Sequence, residues 1–250
     1  MNSCEFCDHE IPEGSNFCPH CGSVVKNEKN PFYWKQKSRI YRHRGKMKLA
    51  TDACLKYHEL DNKNPFAFCN LGDLYYFTGK IDLSIKNYLK AIELKPDFAD
   101  TYYYLGISYF RCGQISKAIE AYEKCLELNP DFIIAYYQLG VSYYHKGERK
   151  KAISSFEKLL EINPESVIAN YHLGINFSSV GEYEQAIPYF EKVAEVSPDD
   201  SAVLYHLGIS YFRTGKLSEA VKIFRRSINI NPEDQRSKKM VEFLLNVTEI

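Results

Sequence analysis

No apolar run in the chain approaches the roughly 18 uninterrupted residues that a membrane-spanning helix needs, so no such span is expected. The first residues, Met1-Asn2-Ser3-Cys4-Glu5, lack the basic start and apolar stretch of a secretory leader. Net charge is also missing, with 32 Lys and Arg against 32 Asp and Glu. Tryptophan occurs once. Three catalytic signatures are absent: a glycine-rich phosphate loop ending in Lys-Ser/Thr, Gly-x-Ser-x-Gly and His-Glu-x-x-His. No enzyme is expected, and no catalytic residue is assigned.

What is present suits a packed, aromatic-rich protein. Apolar residues make up 45% of the 250, and Tyr (20) and Phe (15) are abundant. Eight cysteines without a secretion signal point to a reducing, cytoplasmic setting and to thiols or metal rather than disulfides. Charge is unevenly laid out. Residues 1–25 hold four acids and no Lys or Arg, whereas residues 26–48 hold nine Lys or Arg against Glu28 alone.

The main organising feature is a repeat. Leu71-Gly72, Leu105-Gly106, Leu139-Gly140, Leu173-Gly174 and Leu207-Gly208 are spaced by 34 residues. Pro96, Pro130, Pro164, Pro198 and Pro232 keep the same step, as do Gly79, Gly113, Gly147, Gly181 and Gly215. Inside one copy, Tyr102, Leu105, Gly106 and Tyr109 form a helical stripe. Gly113 breaks it, and a second stripe runs through Ile115, Ala118, Ile119, Tyr122 and Leu126 up to Asn129-Pro130. Each unit therefore reads as two short helices, A and B, joined by a tight turn. Gly inside a helix costs about 1 kcal/mol relative to Ala, so Gly106 and Ala118 are expected where the two helices cross closely.

This pattern resembles the tetratricopeptide repeat, on Tyr136, Leu139, Gly140, Tyr143, Ala152, Phe156 and Pro164 of one copy. The resemblance implies an all-α, right-handed solenoid with repeats at 65–98, 99–132, 133–166, 167–200 and 201–234. A worn copy falls at 31–64, with Trp34, Tyr41, Gly45 and Ala50 in register and Lys37-Ser38 in place of Leu-Gly. Residues 235–250, with Met240, Val241, Leu244 and Leu245 at helical spacing, are expected to cap the array. Pro188, inside helix B of the fourth full copy, and Ser178-Ser179 predict a local kink or dent there.

Ahead of the repeats, Cys4-x-x-Cys7 and Cys18-x-x-Cys21 are ten residues apart. About 25 residues bury too little surface to fold alone. A four-thiolate Zn²⁺ site supplies roughly 10–16 kcal/mol, and residues 1–25 resemble a short zinc ribbon. One structural zinc on Cys4, Cys7, Cys18 and Cys21 is expected; an iron–sulfur centre or a redox dithiol is the alternative. His9 and His20 are expected bystanders that could replace a ligand. Residues 26–30 are a linker, and Cys54, Cys69, Cys112 and Cys125 are expected to be small buried helix residues.

In tetratricopeptide proteins helix A lines the concave face, and the resemblance implies a partner surface there. The stripe beside the packing face holds Tyr103, Ile107, Phe110 and Arg111, then Tyr137, Val141, Tyr144 and His145. It continues through Tyr171 and Ile175, then Tyr205, Ile209, Phe212 and Arg213. Burying the four aliphatic residues is worth roughly 6–12 kcal/mol against an association cost of about 4–15 kcal/mol. Tyrosine hydroxyls and arginines would have to add hydrogen bonds. The expected role is a non-catalytic scaffold that holds a peptide or amphipathic helix of a partner protein. The basic clamp by which some family members grip acidic chaperone tails is not expected, because Cys69, Asp73, Asp100 and Tyr104 stand in its slots. His172 and His206, equivalent positions one repeat apart, are expected to be surface residues or polar contacts to a ligand. The alternative reading is a nucleic-acid-associated factor using Arg39, Arg42, Arg44, Lys46 and Lys48.

Overall fold

The computed structural model describes residues 2–248; Met1 of the expected ribbon and residues 249–250 of the expected cap lie outside the described residues. The chain forms two compact units, Met1–Asn129 and Pro130–Ile250.

The first unit opens with a small ribbon. Strands β1 (Asn2–Ser3) and β2 (Glu10–Ile11) pair antiparallel, and Phe17 bridges Val24. Three helix pairs follow: α1 (Pro31–His43) with α2 (Met47–Leu60), α3 (Pro65–Phe77) with α4 (Ile81–Leu94), and α5 (Ala99–Arg111) with α6 (Ile115–Leu128). The second unit holds α7 (Ile133–Lys146) with α8 (Arg149–Ile162), α9 (Val167–Ser179) with α10 (Tyr183–Val196), and α11 (Ser201–Arg213) with α12 (Leu217–Ile230). A last helix, α13 (Gln235–Thr248), packs on α12. The fold is all-α, in consecutive helix pairs.

Local chemistry sets these boundaries. Asn30, Asn64, Ser166 and Asp200 cap α1, α3, α9 and α11 by accepting first-turn N–H groups through their side chains. Gly113, at φ 76°, makes the left-handed turn from α5 to α6, a conformation that side chains bearing a Cβ rarely adopt. Pro96 and Pro164 lie just beyond the ends of α4 and α8.

The helix-A glycines serve a packing purpose. A Cβ built on Gly106 would lie 2.5 Å from Tyr122 Cε1, and one on Gly174 2.6 Å from Phe190 Cε1. Each glycine is thus a socket for an aromatic ring of helix B. The five rings, Tyr88, Tyr122, Phe156, Phe190 and Phe224, are all among the largest fully buried side chains. Fully burying such a ring contributes about 1.5–3 kcal/mol, more than the roughly 1 kcal/mol that a helical glycine costs. Beneath them Ala118, Ala152, Ala186 and Ala220 are fully buried, with Ser84 in the equivalent place of α4 donating to or accepting from Ser108 at 3.1 Å.

Pro188 does not end α10, which runs through it to Val196. Its ring is exposed, so the backbone donor it removes is lost on the solvent side of the helix. Of the two serines expected to leave a dent, Ser179 bonds the Asn176 carbonyl at 2.7 Å, and the buried Ser178 hydroxyl finds no partner among the described residues.

Candidate binding surfaces and metal centre

The four ribbon cysteines converge. Cys4 Sγ lies 3.7 Å from Cys21 Sγ, Cys7 Sγ lies 3.6 Å from Cys18 Sγ, and the four sulfurs all lie within 4.8 Å of one another. Sulfurs at about 2.3 Å from a tetrahedral Zn²⁺ would be about 3.8 Å apart, so these two pairs match that ion's size. The turns that aim the sulfurs are held by backbone: Cys4 N–H donates to the His9 carbonyl, and Gly22 N–H to that of Cys18. These residues could hold one metal ion, and four sulfur ligands would leave it no open position.

The ribbon is docked on α1. Tyr33 is fully buried, its hydroxyl donating to Glu5, and Lys37 Nζ reaches Glu5 Oε1 at 3.2 Å and Tyr33 Oη at 2.8 Å. Gln36 Oε1 accepts from Val24 N–H at 2.7 Å, and an Arg44 N–H is 3.4 Å from the Phe6 carbonyl. Burial pushes the Glu5 carboxyl up, but Tyr33 and Lys37 outweigh it and hold the group below its ordinary value. The stretch read as a linker is structured too: Trp34 Nε1 donates to the Glu28 carbonyl, and Asn30 caps α1. Lys37, Arg42 and Arg44 of the basic segment therefore already have protein partners, while Arg39, Lys46 and Lys48 are exposed.

The helix-A stripe is half-buried rather than open. In the first unit Tyr103 is 8% exposed, with its ring against Tyr104 and Tyr122; Ile107 and Phe110 are half-buried and Arg111 is exposed. Arg111 lies over the Tyr76 ring at 4.8 Å and donates to the Tyr76 carbonyl. In the second unit Tyr137, Val141, Tyr144, Tyr171 and Ile175 are half-buried and His145 is exposed. The last repeat is partly covered by the chain itself. Tyr205, Ile209 and Phe212 pack into the cluster that contains Leu244, Phe243 meets the Phe212 ring edge-on at 6.0 Å, and Arg236 sits 4.5 Å over Tyr205. Arg213 remains exposed.

A concave site that shares only Ile107 with the stripe lies in the first unit. A cavity of about 480 Å³ is lined by Arg42, Met47, Asp73, Tyr76, Phe77, Tyr88, Tyr104 and Ile107. Asp73 is its polar anchor: Tyr88 Oη donates to Oδ1 at 2.6 Å, and an Arg42 N–H to Oδ2 at 3.2 Å. Burial raises the Asp73 carboxyl above its ordinary value, against the opposing pull of Tyr88 and Arg42. Phe77, 62% exposed, and Tyr104, 44% exposed, are the most accessible aromatic residues of the rim. One signal in the sequence could have found this site. Asp73 stands in the slot that Ile107, Val141, Ile175 and Ile209 fill elsewhere.

His172 and His206 are half-buried rather than free at the surface. The His172 ring stacks on Phe156 at 4.9 Å and 9°, and that of His206 on Phe190 at 5.7 Å and 15°. Burial lowers both below their ordinary value; Arg236 adds to this at His206, and Asp200 opposes it. Among the other cysteines, Cys54 and Cys125 are buried as expected. Cys69 is half-buried, and Cys112 is exposed because it is the C-cap residue of α5 rather than part of its inner face.

A model described as TPR repeat matches residues 72–113, and models described as tetratricopeptide repeat match 99–132, 133–166 and 179–242. No curated protein matches the chain. Among solved structures, YrrB, described as a TPR protein with an unusual peptide-binding site, is 21% identical; the match covers 80% of this chain and all of that one, at a TM-score of 0.69. The C-terminal part of a TPR repeat-containing protein from Cytophaga hutchinsonii is 22% identical, covering 85% of this chain and 88% of that one, at 0.75. A MamA structure is 28% identical, covering 68% and 92%, at 0.64. No described helix is long and apolar enough to cross a membrane.

Proposed function

We propose that this chain, which carries multiple tetratricopeptide repeats, is a non-catalytic scaffold that binds a peptide or amphipathic helix of a partner protein on its helix-A faces. The observation that carries this reading is the cavity over Asp73. It offers a half-exposed ion pair, tyrosine hydroxyls and an apolar rim, the mixture that orients a peptide while burying one of its side chains. The peptide-binding site named for YrrB, a protein of similar fold, supports the same use. In the second unit Val141 and Ile175 are the contact residues of choice, since Ile209 and Phe212 already meet α13. Ribbon 1–25 holds one structural Zn²⁺ on Cys4, Cys7, Cys18 and Cys21, and its role is to fold that segment against α1.

The test is binding of a displayed peptide library to the full chain. Phe77→Glu with Ile107→Glu, and separately Val141→Glu with Ile175→Glu, are expected to weaken the selected peptides at least tenfold while the helical content is unchanged. Peptide affinities equal to wild type in both double variants would remove the groove reading. The nucleic-acid reading gains no specific observation, because three cations of its segment are engaged within the protein. Salt-sensitive retardation of DNA or RNA, abolished by Arg39→Glu and Lys48→Glu, would restore it.

A further inference from the structure

The ribbon histidines have no part in peptide binding, yet their arrangement is specific. His9 and His20 are exposed, and their rings lie parallel with centroids 3.5 Å apart and 10° between planes. His9 Nδ1 is 3.1 Å from the Cys7 carbonyl oxygen. A carbonyl only accepts, so Nδ1 carries the proton and the lone pair is left on Nε2; fixing the tautomer in this way is a common feature of metal-binding histidines. One ligand atom from each of Cys7, His9 and His20 lies within 4.8 Å of the other two. Cys7 also belongs to the four-sulfur set, whereas the two imidazoles do not share that spacing with all four sulfurs.

We propose that Cys7, His9 and His20 form a second zinc site beside the four-cysteine centre, with the Cys7 thiolate bridging two ions. Electrostatics favours this. Four thiolates around one divalent ion leave two negative charges, and residues 1–25 add four acids and no Lys or Arg. The cations that reach the ribbon from α1 and its C-cap are already directed at Glu5 and at the Phe6 carbonyl. A second divalent ion offsets the two charges left on the thiolates. Thiolate and imidazole donors suit Zn²⁺. Three protein ligands leave its fourth position to water, so this ion exchanges readily while the four-sulfur ion does not.

This inference rests on the four-cysteine reading above, and one titration separates the two. The full chain, reduced and stripped of metal, is titrated with Zn²⁺ alone against a chromophoric chelator, beside the His9→Ala/His20→Ala variant. Wild type is expected to take up two equivalents, the second at least tenfold weaker, and the double variant only the first. Adding Co²⁺ in place of Zn²⁺ should give new visible bands at the second equivalent in wild type and none in the variant. A single equivalent in wild type overturns the second site and leaves the first standing. No uptake removes both, and two equivalents in the variant overturn the assignment to these histidines.

Discussion

The two units are written in one 34-residue register, yet they fill the inner slots of that register with different chemistry. In the first, the rings lodged against helix-A glycines are Tyr88 and Tyr122; in the second they are Phe156, Phe190 and Phe224. The slot after the glycine holds Asp73 and Ile107 in one unit, and Val141, Ile175 and Ile209 in the other. The ring that lies over the lodged aromatic is Tyr104 on Tyr88 in the first unit, and His172 on Phe156 and His206 on Phe190 in the second. The shared framework is therefore steric, a glycine and a ring. What each unit can hold is decided by the polar atoms on and around that ring.

Breaking the shared part should give the largest effect. Phe190 is fully buried against Gly174 and lies under both Tyr171 and His206. Phe190→Ala is expected to destabilise the second unit by about 3–5 kcal/mol, through lost burial and the cavity left behind. Denaturant melts of the full chain, followed by helical circular dichroism, measure this. A loss below about 0.5 kcal/mol, within the range of ordinary surface substitutions, would mean that the lodged ring is not what holds the pair together.

The next effect should differ in sign between two tyrosines in equivalent slots. Tyr88 donates to Asp73, so Tyr88→Phe leaves a half-buried carboxylate one partner short and should cost about 1–3 kcal/mol. The Tyr122 hydroxyl is buried and finds no partner among the described residues, since Ile107 stands where Asp73 would answer it. Tyr122→Phe should therefore be neutral or stabilising by about 1 kcal/mol. Equal losses in both variants would show that an ordered water satisfies Tyr122 and that the asymmetry is not real.

These contrasts also mark the limit of what could be read from the sequence. Helix pairs and turns were legible because Leu-Gly, Gly and Pro recur at a fixed step, and each fixes local backbone or close packing; the pair α1 and α2, which lacks Leu-Gly, showed only through Trp34, Tyr41, Gly45 and Ala50. The four-sulfur cluster was legible because two Cys-x-x-Cys pairs constrain one another. Asp73 was visible only as a break in an aliphatic column. Its meaning depends on Arg42, 31 residues earlier, and Tyr88, 15 residues later, and no periodicity announces such a pairing. The docking of Glu5 on Tyr33 and Lys37 was hidden for the same reason. The partial burial of His172 and His206 was missed because their slots look polar, although each is flanked by tyrosine and seated on phenylalanine.

The smallest expected effect is in acid, and it again distinguishes the units. Burial lowers the folded-state values of His172 and His206 below 6.5, so the unfolded chain takes up protons that the folded chain refuses. Their contribution is intact above 6.5 and is lost as pH falls through it. The rings around His172 are uncharged, while His206 also senses Arg236 and Asp200, so His172 is the simpler probe. Asp73 has the opposite sign: its raised value means that its contribution is lost as pH rises past 3.8. Gln138 occupies the histidine slot in α7 without titrating, which makes glutamine the natural replacement. His172→Gln with His206→Gln should melt alike at about pH 7 and about pH 5, where wild type loses stability. If the glutamine variant declines in acid as steeply as wild type, the proton-refusing groups lie elsewhere, and the seating of these imidazoles on phenylalanine does not govern their charge.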